Sequence, residues 1–171
     1  MNKGETALIQ YRLTQAKASI EEAKVLLREG MSFRSIMNRL YYAMFYAVLA
    51  LLQEKRLGTS KHIGVISLFD KEFIKTGTFK KDLSKSLHRA FELRQKGDYM
   101  EQNEVTKEDI DEMLPKTQDF INAIEKFLFK EVKTGSMNRT PTNKRTVTVN
   151  IGIVTLKGTP QLPQLYLTKW L

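Results

Sequence analysis

Thirteen uninterrupted apolar or aromatic residues, Leu40 to Leu52, follow the polar pair Asn38-Arg39 and stop at Gln53-Glu54-Lys55-Arg56. A membrane span needs roughly 18 or more such residues, whereas about 10–14 fits a helix buried in a protein core. Core strands usually run about 4–8 residues, so a strand is the poorer fit. A helix apolar on every side has to be surrounded by other helices. The segment therefore predicts the central element of a bundle, with Asn38 and Arg39 at the mouth of the core. Two polar groups in that position are either structural partners or part of a site.

The surrounding sequence supplies the other helices. Residues 5–29 repeat apolar side chains every three to four positions (Leu8/Ile9, Leu13, Ala16, Ile20, Ala23, Leu26/Leu27) before Gly30, the pattern of an amphipathic helix with a glycine stop. The buried helix runs from Phe33 to Glu54. After a turn at Gly58, Ser60 is placed to cap a third helix over 61–75, ended by Gly77. A fourth covers Lys81 to Lys96, stopped by Gly97. Thr106-Lys107-Glu108-Asp109 opens a fifth as an approximate capping box over 107–131, with Pro115 expected to kink it or break it in two. Four to five helices on short connections predict an all-α, antiparallel up-and-down bundle over residues 1–133.

From Thr134 onward the composition changes. Thr134 to Asn143 is polar and turn-rich, a linker. Arg145 to Lys157 then alternates Val147, Val149, Ile151 and Ile153 with polar residues, which is strand periodicity. A lone strand needs something to pair with, so 134–171 reads as a linker with a short β or irregular tail. The charge is uneven too. The whole chain carries 28 basic and 19 acidic residues, yet the tail holds five of the basic ones and no acid. That excess favours anionic partners. The absence of cysteine rules out disulfide and thiolate chemistry and suits a cytoplasmic protein. The N-terminus shows no apolar signal core. Two histidines without a carboxylate cluster make no metal site, and the scattered glycines form no phosphate-cradling loop, so neither metal nor cofactor is expected.

Arg94 is the clearest anomaly. Leu83, Leu87, Ala90 and Arg94 follow one another at steps of four, three and four on one helix face, so an arginine ends an apolar stripe. A partly buried guanidinium needs a partner. Either it snorkels toward helix-terminal carbonyls or a carboxylate, or it lines a polar pocket with Asp98 and Tyr99. His62 stands beside Lys61 at the start of the third helix, where a helix N-terminus attracts anions. It either orders the preceding turn or contributes to a ligand site.

Four blocks occur in order: Asn38-Arg39-x-Tyr41-Tyr42-Ala43-x-Phe45, Ser60-Lys61-His62-x-Gly64-Val65, Phe69-x3-Phe73-x3-Gly77 and Arg94-x2-Gly97-Asp98-Tyr99. Over residues 8–130 this order resembles the HEPN family (higher eukaryote and prokaryote nucleotide-binding), closest to small stand-alone prokaryotic members. The resemblance implies a helical bundle that commonly dimerises. It also implies a nucleotidyltransferase partner in a toxin–antitoxin pair, and in active branches an Arg-x4–6-His motif that cleaves RNA without a metal. Arg94 matches the motif arginine. No histidine follows it, since 95–100 read Gln95-Lys96-Gly97-Asp98-Tyr99-Met100. Asp98, with an ordinary carboxylate near pKa 3.9, and Tyr99, near 10, are both poorly placed on the pH scale to serve as a base.

On this basis Arg94, Asp98 and Tyr99 are the candidate catalytic residues, and Asn38, Arg39, Lys61 and His62 the candidate ligand contacts; Arg94, Asp98 and Tyr99 are expected to gather with Asn38 and Arg39 where the mouth of the second helix meets the end of the fourth. The functional expectation is a HEPN partner of a nucleotidyltransferase that binds RNA or nucleotide and cuts RNA in its active form. The alternative is a non-catalytic nucleotide- or protein-binding module, or a purely structural helical partner. The apolar perimeter of the second helix further predicts a homodimer. Removing everything after Lys133 should move the melting temperature by no more than a few degrees. A large loss on differential scanning calorimetry would show that the tail packs on the bundle.

Overall fold

The computed structural model describes residues 3–59, 61–99 and 105–135; for 97–99 and 130–135 it describes the backbone. Five α-helices follow in order: α1 (Lys3–Arg28), α2 (Phe33–Glu54), α3 (His62–Phe69), α4 (Lys81–Tyr99) and α5 (Lys107–Gly135). No strand occurs among the described residues, so the fold is all-α. The chain divides into two units, Met1–Asn138 and Arg139–Leu171, and the second, with the expected strand, lies outside the described residues.

α2 is the axis of the bundle. It packs against α1, α3, α4 and α5, and twelve of its residues are buried, from Ile36 to Leu52. Full burial of each large side chain among them stabilises by about 1.5–3 kcal/mol. α2 is long and apolar enough to cross a membrane, but 67% of its most apolar window is buried inside the protein, which is the position of a core helix. What the neighbours leave half-covered is a narrow strip, Asn38, Arg39, Tyr42, Tyr46 and Leu49, spaced along one face at helical intervals.

Two aromatic clusters occupy different parts of the core. Phe69, Phe73, Phe79, Phe120 and Phe127 form a cluster of ring contacts joining α3 and the segment after it to α5. Tyr41, Tyr42, Phe45, Phe91 and His62 form the other. A single π-helical turn, Asp70–Ile74, continues α3. The extra residue turns Phe73 fully into the core and places Asp70 beside α4, where it accepts from Ser84 Oγ at 2.6 Å and faces His88 Nε2 at 2.7 Å.

The helix ends show which local signals acted. α1 closes in a Schellman arrangement: Met31 N–H donates to Leu26 O at 2.9 Å and Gly30 N–H to Leu27 O at 3.2 Å, with Gly30 at φ +66°. Thr106 and Asp109 cap α5 reciprocally, each backbone N–H reaching the other's side chain at 3.1 and 3.3 Å. Three expectations need correction. Gly97 does not stop α4, which runs on to Tyr99. One glycine costs a helix only about 1 kcal/mol relative to alanine. Pro115 does not break α5, which is continuous from Lys107 to Gly135, so the anchoring of its apolar face outweighs one lost backbone hydrogen bond. Thr134 and Gly135 belong to α5 and not to a linker. α3 begins at His62 with Lys61 as its N-cap residue, and Ser60 lies outside the described residues.

α2 ends differently from α1. Leu57 N–H donates to Leu52 O at 2.8 Å and Arg56 N–H to Gln53 O at 3.1 Å, the same closure with Arg56, not glycine, at φ +56°. A left-handed non-glycine residue is strained by about 1 kcal/mol or more. The Arg56–Glu5 ion pair at 3.0 Å offsets little, because the arginine side chain is 72% exposed. Arg56→Gly should therefore raise stability by about 0.5–1 kcal/mol in urea denaturation; a decrease would mean that the ion pair outweighs the backbone strain.

Candidate functional site

The second aromatic cluster is where the functional candidates meet. Tyr41 is fully buried, and its hydroxyl lies 2.9 Å from Nδ1 of His62. Phe45 stacks on the imidazole with centroids 4.4 Å apart and planes 10° apart, while Tyr42 meets it edge-on at 6.0 Å. The Arg94 guanidinium sits over the rings of Tyr41 and Tyr42, at 5.3 and 5.5 Å from their centroids. Arg94 Nε donates to Asn38 Oδ1 at 3.2 Å. A base-type side chain from α3, a cation from α4 and an amide from α2 thus converge on one pair of tyrosine rings.

Each piece has a local reason. Asn38, Tyr41, Tyr42 and Phe45 follow at steps of three, one and three, so they share one side of α2. Arg94 lies on the same side of α4 as the buried Leu87 and Ala90, so the stripe brings its stem to α2 and the half-buried head finds an amide. His62 depends on the turn before α3. A Cβ at Gly64 would come within 2.7 Å of Thr59 Oγ1 and 2.9 Å of its methyl carbon, so a side chain there would require Thr59 to shift.

The electrostatics follow from burial. Tyr41's phenol is pushed strongly up by burial, with the Arg94 charge opposing only in part, so the group keeps its proton. Burial lowers the proton affinity of His62, and the nearby Arg94 charge lowers it further. The ring is therefore neutral at physiological pH beside a permanent cation.

Not every candidate joins this centre. Arg39 lies 5.6 Å from the Tyr42 ring, and its guanidinium bonds Glu22 of α1 at 3.2 Å, a carboxylate across the α1–α2 seam. Lys61 is exposed at the start of α3. Asp98 and Tyr99 continue α4 past Arg94, and their side chains lie outside the described residues. Tyr41 is a participant that is absent from the candidates named from the sequence. Its signal was present in Tyr41 itself, a phenol inside an otherwise apolar run that had to find a partner. Among the described residues no group of His, Asp and Glu could hold a metal ion. The arrangement brings a guanidinium and an imidazole to the same tyrosine rings.

Comparison with known proteins places this geometry. The family model described as the HEPN domain matches residues 9–127. The UPF0332 protein of Thermotoga maritima is 42% identical over 128 residues, covering 75% of this chain and 96% of that protein. Two proteins of Methanocaldococcus jannaschii, both named as candidate toxins, are 34% and 31% identical, each aligning with 77% of this chain and with 90% and 96% of their own lengths.

The coupling between Arg94 and His62 can be measured. A depressed histidine pKa means that the unfolded chain, near 6.5, binds the proton more readily than the folded one. Stability from this group is full above 6.5 and is lost as pH falls through the folded value. Arg94→Gln should raise the His62 pKa seen by NMR, though not fully to 6.5 because burial remains, and should shrink that acid-side loss. No movement of the pKa would show that burial alone sets it.

Proposed function

This chain belongs to the HEPN domain family, and on that premise we propose that it is the toxin-type member of a two-component system with a nucleotidyltransferase, binding RNA at the Arg94 centre. The observation that carries the RNA reading is the held guanidinium. Arg94 is fixed by Asn38 and lies over two tyrosine rings. A guanidinium offers a fork matching phosphate oxygens, and aromatic faces accept bases regardless of sequence. The net charge of +9 attracts a polyanion. Support for the toxin role comes from the two archaeal relatives so named.

The same reading makes the protein a cytoplasmic homodimer. The half-covered strip of α2, from Asn38 through Tyr42 and Tyr46 to Leu49, supplies a face on which a second copy would complete the burial of the central helix. One observation favours binding over cleavage. Residues 95–100 contain no histidine, so α4 by itself lacks the base that metal-free attack by a 2′-hydroxyl requires.

The test uses a short single-stranded RNA at low salt. Arg94→Ala should weaken binding by about tenfold or more, the loss of a charge-assisted contact, with unchanged helical content by circular dichroism. Cleavage by wild type in excess chelator, absent from Arg94→Ala, would establish the ribonuclease form. Co-purification with a nucleotidyltransferase encoded beside it tests the partnership. Failure to bind RNA, together with unfolding of Arg94→Ala, would make Arg94 a structural arginine and end the reading.

A further inference from the structure

The segment that joins α3 to α4 carries an uneven set of charges. Residues 70–85 hold five lysines, Lys71, Lys75, Lys80, Lys81 and Lys85, against Asp70, Glu72 and Asp82. All three acids are engaged. Asp70 meets Ser84 and His88, Glu72 lies 3.5 Å from Lys71 and 3.9 Å from Lys55, and Asp82 lies 3.1 Å from Lys85. That leaves Lys75, Lys80 and Lys81, all exposed, whose ammonium groups pair with no carboxylate among the described residues.

Scattered surface lysines would mean little, but these three stand on one closed turn. Thr76 Oγ1 donates to Glu72 O at 2.9 Å and meets Thr78 Oγ1 at 3.0 Å. Gly77 N–H donates to Ile74 O and Phe79 N–H to Phe73 O, both at 3.0 Å, with Gly77 at φ +77°. Phe79 then anchors the turn on Phe73 at 6.1 Å and on Phe127 at 5.3 Å. Lys75 precedes the closure, and Lys80 and Lys81 follow it. The backbone therefore fixes the stems of three like charges close together, a local positive excess that favours an anionic partner.

We propose that this turn is a second RNA contact, in which Lys75, Lys80 and Lys81 hold the phosphodiester backbone without reading its sequence. This rests on the RNA-binding reading of the protein and adds a surface at the opposite end of α4 from Arg94. Lys81 opens α4, and Arg94 lies roughly 20 Å further along its axis at about 1.5 Å per residue. Lysine suits the role, since a compact charge on a flexible stem meets a phosphate without demanding a fixed angle. The absence of an apolar anchor favours nucleic acid over an acidic protein. Protein interfaces draw their energy from buried aromatic or aliphatic groups at the centre. Phe73 is buried, Phe79 is packed against other rings, and no large side chain among residues 70–85 is an exposed hydrophobic. A phosphate backbone needs only the charge.

The test is the salt dependence of RNA binding by the full chain, read by fluorescence anisotropy. The probe is an oligouridine of about twelve nucleotides, roughly 40 Å long at about 3.4 Å per stacked nucleotide. For a single strand, log K falls with log salt by about 0.7 for each phosphate neutralised. Lys75→Gln, Lys80→Gln and Lys81→Gln combined should therefore flatten the slope by about 2. Oligoadenosine should respond equally, because backbone contacts carry no sequence information. Arginine at the same three positions keeps the charge and should keep the slope. An unchanged slope in the glutamine variant, or a loss confined to one base sequence, overturns the proposal. A control variant replaces Lys17, Lys24 and Lys116, each paired with a carboxylate elsewhere, by glutamine. Equal flattening in that control would mean diffuse attraction by net charge and would also overturn it. A poly-glutamate peptide of matching charge that binds more tightly than RNA, and weakens in the same turn variant, reassigns the surface to an acidic protein. If Arg94→Ala leaves binding intact while the turn variant flattens the slope, the turn stands and the Arg94 reading falls. The converse pattern removes the turn and leaves Arg94. If wild type binds no RNA, both fall together.

Discussion

A hydroxyl carried into a fully buried position has to be answered, and the site in this protein is built around that requirement. Tyr41 is the one buried side chain of α2 with a polar atom at its tip. Asn38, on the same side of α2, accepts from Arg94, and the partner of the Tyr41 hydroxyl comes from outside the helix. The nearest answer is His62, brought across by the turn between α2 and α3. From that bond follow the inward rotation of the imidazole, the stacking of Phe45 on it and the position of Arg94 over the same tyrosine ring. Removing a buried partner would cost more than the bond contributes when made, which explains why one hydroxyl can organise three helices.

The chemistry of the centre is set by what it lacks as much as by what it holds. Glu22 neutralises Arg39 at the exposed edge, and Asp109 pairs with Arg89 at 2.9 Å between α4 and α5. The described ring contacts of His62 are aromatic, and burial together with the Arg94 charge lowers the proton affinity of the imidazole. An aromatic floor under a guanidinium also reduces the cost of desolvating the cation.

Membership of the HEPN family and the departure from its motif are compatible on physical grounds. The arginine is retained on α4 and held by Asn38, whereas the position of the motif histidine is filled by other residues. An imidazole nevertheless lies beside the arginine, delivered by α3. The two side chains reach the same tyrosine ring from different helices and not from one sequence motif.

The sequence by itself determined the helices and their order. The bounds of α2, Phe33 and Glu54, follow from an apolar run with polar flanks, and the caps at Gly30 and Thr106 from residues whose preferences are local. Arg94 stood out for the same reason, since a charge at a stripe position breaks a period visible within one helix. Local signals failed where long-range packing outweighed them: Gly97 sits inside α4 and Pro115 inside α5 because burial of the helix faces exceeds the cost of one glycine or one proline. The meeting of Tyr41 with His62, 21 residues on, and of Asn38 with Arg94, 56 residues on, was decided only by the tertiary structure. Periodicity fixes which face of a helix is buried but not how far one helix slides or rotates against the next. A hydrogen bond 2.9 Å long depends on that rotation, and the rotation is set by the packing of the whole core.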